Sequence, residues 1–108
     1  MIDLIIPLST LRIDTNGVGH LSSVHLDLSA VAVVLQKVTE EAIRLEIDGA
    51  ELNTVSVTVD VTGQSGGEAD LSFIPRIDRK TRTLVFASGE AKENGRPLLK
   101  ATMVFRIG

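Results

Sequence analysis

One carboxylate is conspicuous for its surroundings. Asp27 is the sole acid between Asp14 and Glu40, and its neighbours are Leu26 and Leu28. Burying a carboxylate in an apolar segment is costly unless it is paired. Asp27 therefore has a partner or a task, and taking a proton as a general base is a task a carboxylate performs. His20 lies seven residues earlier. On one helix the two would share a face, about 10 Å apart along the axis. That is too far for a direct dyad and close enough to line one groove. His25 projects elsewhere and reads as a structural or interface histidine. No pair has the i, i+4 spacing of helical metal ligands, so no metal is expected. Ser22, Ser23 and Ser29 lack the strand-to-helix context of a nucleophilic serine.

A second cluster is basic. Eight of the eleven Lys and Arg residues fall between Arg76 and Arg106, in a chain of net charge −3. Arg76, Arg79, Lys80 and Arg82 surround one predicted turn. They read as solvated strand faces or as a local site for an anionic ligand. The net negative charge argues against nonspecific nucleic-acid binding. Three Phe, with no Trp or Tyr, offer almost no stacking platform for single strands. Without cysteine there are no disulfides, thiolate nucleophiles or cysteine zinc sites, which fits the cytoplasm. The glycines at 63, 66 and 67 lie between predicted strands and form no phosphate-binding motif. Residues 1–7 carry no basic region of a signal peptide, and no apolar run approaches the roughly 20 residues of a membrane helix.

The elements that must position these groups read as one domain over residues 1–108. Residues 2–13 look like a strand, with Pro7 marking an edge or bend, and 14–19 like a turn. Leu21, Val24, Leu28, Val31, Leu35 and Val38 recur at helical spacing, predicting a helix from His20 to Val38 with Ser22 or Ser23 as its cap. Leu26, Ala30, Val33 and Val34 make this helix apolar nearly all round, so it must be enclosed. Residues 39–53 read either as a second short helix capped at Thr39 or as a strand carrying Ile43, Leu45 and Ile47. Then the period becomes two. Val55, Val57, Val59 and Val61 alternate with polar residues, predicting a strand over 54–62 with one buried face. Further strands follow over 68–78, 82–91 and 96–107, with an Asn94-Gly95 hairpin turn between the last two. Short connections imply an antiparallel meander. Four valines in a row are more than one small helix can cover, so an obligate homodimer is expected, with sheets joined edge to edge and the two helices near each other.

One helix against such a sheet is α+β, and the chain resembles the hotdog fold, a curved antiparallel sheet wrapped around one long central helix. The resemblance runs from about Asn16 to the C-terminus. It is strongest from Gly67-Glu-Ala-Asp-Leu, through Leu84-Val-Phe-Ala-Ser-Gly-Glu-Ala, to Gly95-Arg-Pro-Leu-Leu-Lys-Ala-Thr. Small acyl-CoA thioesterases of the phenylacetate-pathway type have a similar order of strands and turns. In that family the helix starts with His-Gly-Gly, and a catalytic acid lies nine residues after the His. Matching His20 to the motif histidine turns the glycines into Leu21 and Ser22 and the acid into Ser29. Matching Asp27 to the acid puts Val18 at the histidine and Gly19 and His20 at the glycines, and keeps Asn16.

The resemblance implies an acyl-CoA thioesterase-like protein acting at a subunit interface. Asp27 would activate water or attack the thioester, and His20 would line the same groove. Helix-start N–H groups from Gly19 to Leu21 would hold the oxyanion. Arg76, Arg79, Lys80 and Arg82 would meet the phosphates of coenzyme A, which enters as part of the substrate, with no resident cofactor. The expected assembly is a homodimer pairing further into a tetramer. The altered glycine motif supports an alternative: a noncatalytic hotdog protein that binds an acyl or aromatic ligand, or serves as an assembly module. A third reading, dehydration of a hydroxyacyl thioester, rests on His20.

Overall fold

Strand β2 (Gly19–Val24) leads the chain into its helix, and its pattern explains why it is not itself helical. Gly19 and Leu21 face inward and are buried, while Ser22 and Ser23 face solvent. A computed structural model describes residues 11–64 and 67–108. Residues 2–10 of the predicted first strand, and 65–66 of a predicted turn, lie outside the described residues. What is described of that first strand is β1 (Arg12–Ile13), paired antiparallel with β2.

The helix, α1 (Leu28–Arg44), starts eight residues later than its periodicity predicts and ends six later. Asp27, not Ser22 or Ser23, is its N-cap, with Oδ1 accepting from the Ala30 N–H at 2.8 Å. Such a cap satisfies one of the donors every helix leaves open at its start. The first part of the predicted apolar period is a strand and a bulge whose hydrophobic residues coincide with helical spacing. Residues 39–44 continue the same helix, so neither a second helix nor a strand forms there. Thr39 is buried inside it and donates to the Leu35 carbonyl.

β3 (Leu52–Val61), β4 (Ala69–Lys80), β5 (Leu84–Glu93) and β6 (Arg96–Ile107) complete one antiparallel six-stranded sheet. Its order is β1-β2-β4-β5-β6-β3. Only β4-β5-β6 form the expected meander. β3 crosses to the far side of β6 and becomes an edge. The result is the curved sheet around one helix that defines the hotdog fold.

The core lies between α1 and the inner face of the sheet. Val31, Val34, Leu35 and Val38 of the helix meet Phe73, Val85, Ala87, Leu99, Met103 and Phe105. Glycine permits the closest approach: a Cβ on Gly89 would stand 2.7 Å from Leu35 Cδ1, and one on Gly19 2.8 Å from Val38 Cγ2. The helix lies chiefly across β4 and β5 and barely reaches β3. Within one chain the helix therefore leaves the valine face partly uncovered, as expected of four valines beside one small helix. Val57, Val59 and Val61 stand opposite Met103, Ala101 and Leu99, on the inner face, yet remain 37%, 39% and 56% exposed. Val55 sits at a bulge and is 57% exposed.

Candidate functional site

The start of α1 is built by an abrupt change of direction. β2 carries one extra residue against β4 between Leu21 and Val24. Within this bulge Ser23 adopts φ +52°, a conformation that disfavours side chains. The chain then passes His25, Leu26 and Asp27 into the helix. His25 and Asp27 are exposed and Leu26 half-buried. Asp27 is thus a capping residue at a helix mouth and not an acid inside an apolar helix. Its negative charge also opposes the positive end of the helix dipole.

His20 is not on this helix. It lies in β2, where its Nε2 meets Asp14 Oδ2 at 2.9 Å. Asp14 Oδ1 accepts from the N–H groups of Asn16 and Val18, closing the β1–β2 turn. The expected His20–Asp27 groove is therefore replaced by a His20–Asp14 pair that holds a hairpin. Gly19 and Leu21 also lie in β2. Gly19 is pressed under Val38 and Leu21 is buried in the core, so neither presents an N–H group at the helix start. The amides that occupy that place belong to Leu28 and Ser29.

The His20 hydrogen bond, with smaller help from the Asn16 and Val18 amides, lowers the Asp14 carboxyl below its usual value of 3.8; desolvation opposes it more weakly than the His20 bond. A carboxyl lowered in the folded state stabilises the fold above its unfolded value, and that contribution vanishes as acid protonates it. Asp14→Asn should therefore be less stable than the parent at about pH 7 and converge with it at about pH 2. Urea titrations at both pH values test this; a gap that persists in acid would refute it.

The basic residues divide. Arg76 sits on the outer face of the sheet, in a shallow polar concavity of about 290 Å³ shared with Asp60, Ser88, Glu90, Lys100 and Thr102. That concavity is on the opposite face of the sheet from α1. Arg79 pairs in register with Phe86, and Arg82 lies in the following turn. Lys80 instead reaches the inner side, donating to the Glu46 carbonyl at 3.4 Å just past the C-terminal end of α1. A 17-residue helix is about 25 Å long. Within one protomer, then, Lys80 and Asp27 stand at opposite ends of α1.

Along the inner face of β3 the valines stay partly exposed. Gln36 Nε2 donates to Thr54 Oγ1 at 3.3 Å, bridging helix and edge strand. Val33 and Ser29 lie three and seven residues before Gln36 and so share its side of the helix. Beyond this bridge the exposed Val57, Val59 and Val61 run on toward the helix start. Four residues past Gln36, Glu40 is buried, with Lys37 and Arg44 at 3.6 and 3.7 Å. Gln36 and Thr54 have no marked role in the sequence, because their meeting depends on the helix register.

The helix boundary also changes the family comparison. The histidine nearest the helix start is His25, two residues before the Asp27 cap, and the residue nine positions after it, Val34, is completely buried. A carboxylate has no place there. No protein-family model matches this chain, and no curated protein matches it in sequence. Solved structures do match in shape. Zebrafish thioesterase superfamily member 2 superposes with a TM-score of 0.83 at 16% identity, covering 94% of this chain and 83% of that one. A Bacillus halodurans protein crystallised with CoA gives 0.82 at 14% identity, covering 94% and 73%. A Ralstonia eutropha thioesterase described as phenylacetic acid degradation-related gives 0.71 at 17%, covering 89% and 82%. At these identities the likeness is one of fold, and it bears out the hotdog architecture read from the sequence.

Proposed function

We infer that this hotdog chain binds an acyl thioester of the coenzyme A class as a cytoplasmic homodimer. The observation that carries this is the uncovered valine row on the inner face of β3, running beside the N-terminal half of α1. A second copy joined along β3 would cover most of that row and leave an apolar slot between the two helices and the paired edges. Such a slot suits an acyl chain, with its polar end at the helix mouth near His25 and Asp27. The CoA held by the Bacillus halodurans neighbour supports the ligand class. Arg79, Lys80 and Arg82 supply cations for its phosphates, contributed across the interface because Lys80 and Asp27 are a helix length apart within one protomer. Tetramer formation would follow from packing of two such dimers.

Binding without hydrolysis fits the site best. Matching His25 to the family's histidine puts buried Val34 where that family has its acid, and the charge at the helix start is Asp27 itself, which repels a developing oxyanion. Hydrolysis at Asp27 is the second reading. It is favoured by the exposure of this carboxylate beside the amides of Leu28 and Ser29, where water has access.

Two measurements separate them. Calorimetry with coenzyme A and octanoyl-CoA should detect binding, and reversing the charges of Arg79, Lys80 and Arg82 should weaken it in a salt-dependent way. Equal affinity for parent and variant would remove these residues from the ligand site. Asp27→Asn should leave affinity unchanged, since asparagine also caps helices. If the parent hydrolyses acyl-CoA and Asp27→Asn loses about 100-fold or more, Asp27 is the base and the second reading replaces the first.

A further inference from the structure

The bulge before α1 is tied to a distant turn through one side chain. Asp70, the second residue of β4, accepts the Ser23 N–H on Oδ1 at 2.9 Å. Its own N–H donates to Asn94 Oδ1 at 3.0 Å, and its carbonyl accepts the Asn94 N–H at 2.8 Å. Asn94 and Gly95, with φ +50° and +82°, form the β5–β6 turn. Three segments thus converge: the hairpin turn, the start of β4 and the strained residue of the bulge. Ser23 is one of only two described non-glycine residues with positive φ; the other is Asn94.

We propose that Asp70 is a positioning residue for the helix mouth, holding Ser23 in its left-handed conformation and so aiming His25 and Asp27. The proposal rests on the ligand reading above for its binding consequence and on local geometry for its structural one. A serine has little reason to keep positive φ unless something rewards it. Here the reward is a charge-assisted hydrogen bond from its own N–H to a carboxylate, stronger than a neutral one. Two residues on stands His25, and four on stands the cap of α1. Relaxing Ser23 to an extended conformation would rotate that short connection out of line with the helix axis. Asn94 completes the device by fixing the backbone of Asp70 from both sides, so its side chain is presented in one direction.

The test uses the full chain and coenzyme A as the probe. Asp70→Ala should shift the amide resonances of His25 and Ala30 and lower coenzyme A affinity about tenfold, the worth of one hydrogen bond to a charged group. Asp70→Asn keeps an oxygen acceptor at the same place without its charge and should fall between the parent and Asp70→Ala. The decisive variant is Ser23→Gly combined with Asp70→Ala. Glycine adopts positive φ without strain, so the double variant should recover the parental resonances and affinity to within about twofold. A merely structural role for Asp70 predicts lower stability and no rescue by Ser23→Gly. Should Asp70→Ala fail to fold, Asn94→Gly keeps the turn, removes the other end of the bracket and carries the same readouts. Unchanged His25 and Ala30 resonances in Asp70→Ala, or failure of the rescue, would overturn the proposal. If the parent binds no coenzyme A, the ligand reading falls, and the resonances alone still decide the role of Asp70.

Discussion

At micromolar concentration the parent protein should sediment as a dimer or larger, and Val57→Asp with Val59→Asp as a folded monomer. Both valines are on the inner face of β3, 37% and 39% exposed, and α1 does not reach over them. An edge strand with free backbone groups and a contiguous apolar face invites pairing with another copy. An aspartate brought into that apolar contact must be desolvated without a partner, a cost of several kcal/mol for each. The dimer dissociation constant should rise by at least about 100-fold. The protomer should survive, because in the isolated chain these side chains already meet solvent. Sedimentation equilibrium together with circular dichroism reads both quantities. A monomeric parent would refute the assembly, and with it the interface slot on which the ligand reading depends. A variant that unfolds would show instead that the protomer has no independent stability.

Phe73→Ala should be close to unfolding the domain. Phe73 is completely buried on β4, opposite Ala91 and Gly19 in register, between sheet and helix. Truncating a buried Phe costs about 3–5 kcal/mol through lost transfer energy and a residual cavity. Domains of this size have roughly 5–15 kcal/mol in total. The chain has only three Phe and no other aromatic residue, so nothing comparable in size stands ready to fill the space. Phe86 is the internal control. It alternates with buried Val85 and Ala87 and so faces outward, half-buried. Phe86→Ala should lose much less. Urea unfolding of both variants tests the contrast. Equal losses, or less than about 1 kcal/mol for Phe73→Ala, would contradict this account of the core.

Alternation makes β3 to β6 legible in the chain itself. Val57, Val59 and Val61, or Leu99, Ala101, Met103 and Phe105, repeat every second residue, and no helix has that period. The Asn94-Gly95 turn is legible for a similar reason: few dipeptides accept two successive positive φ values. The single enclosed helix and the α+β class follow from the same patterns. The place where the helix begins does not. Leu21, Val24 and Leu28 fall at helical spacings of three and four, yet Leu21 and Val24 lie in a strand whose bulge shifts its alternation by one residue. The boundary is decided by pairing of Leu21 with Leu71, by the bulge at Ser23 and by Asp27 accepting the Ala30 N–H.

That boundary governs most of the site. A helix beginning at His20 would align His20 with Asp27 on one face. A helix beginning at Leu28 sends His20 to Asp14, makes Asp27 a cap and leaves the buried Val34 nine residues after His25. Likewise, sequence clustering of Arg76, Arg79, Lys80 and Arg82 says nothing of which side of a strand each occupies. The pleat and the bulge between Ile77 and Arg79 send Arg76 outward and Lys80 toward Glu46. By itself, the sequence determined the periodicities, the turn chemistry, the charge distribution and hence the architecture, since these depend on neighbours a few residues apart. Tertiary structure decided the register of α1, the exposure of the β3 valines and the linkage of Ser23 to Asp70 across 47 residues. Those depend on which surfaces meet, and contacts between distant segments leave no local period in the chain.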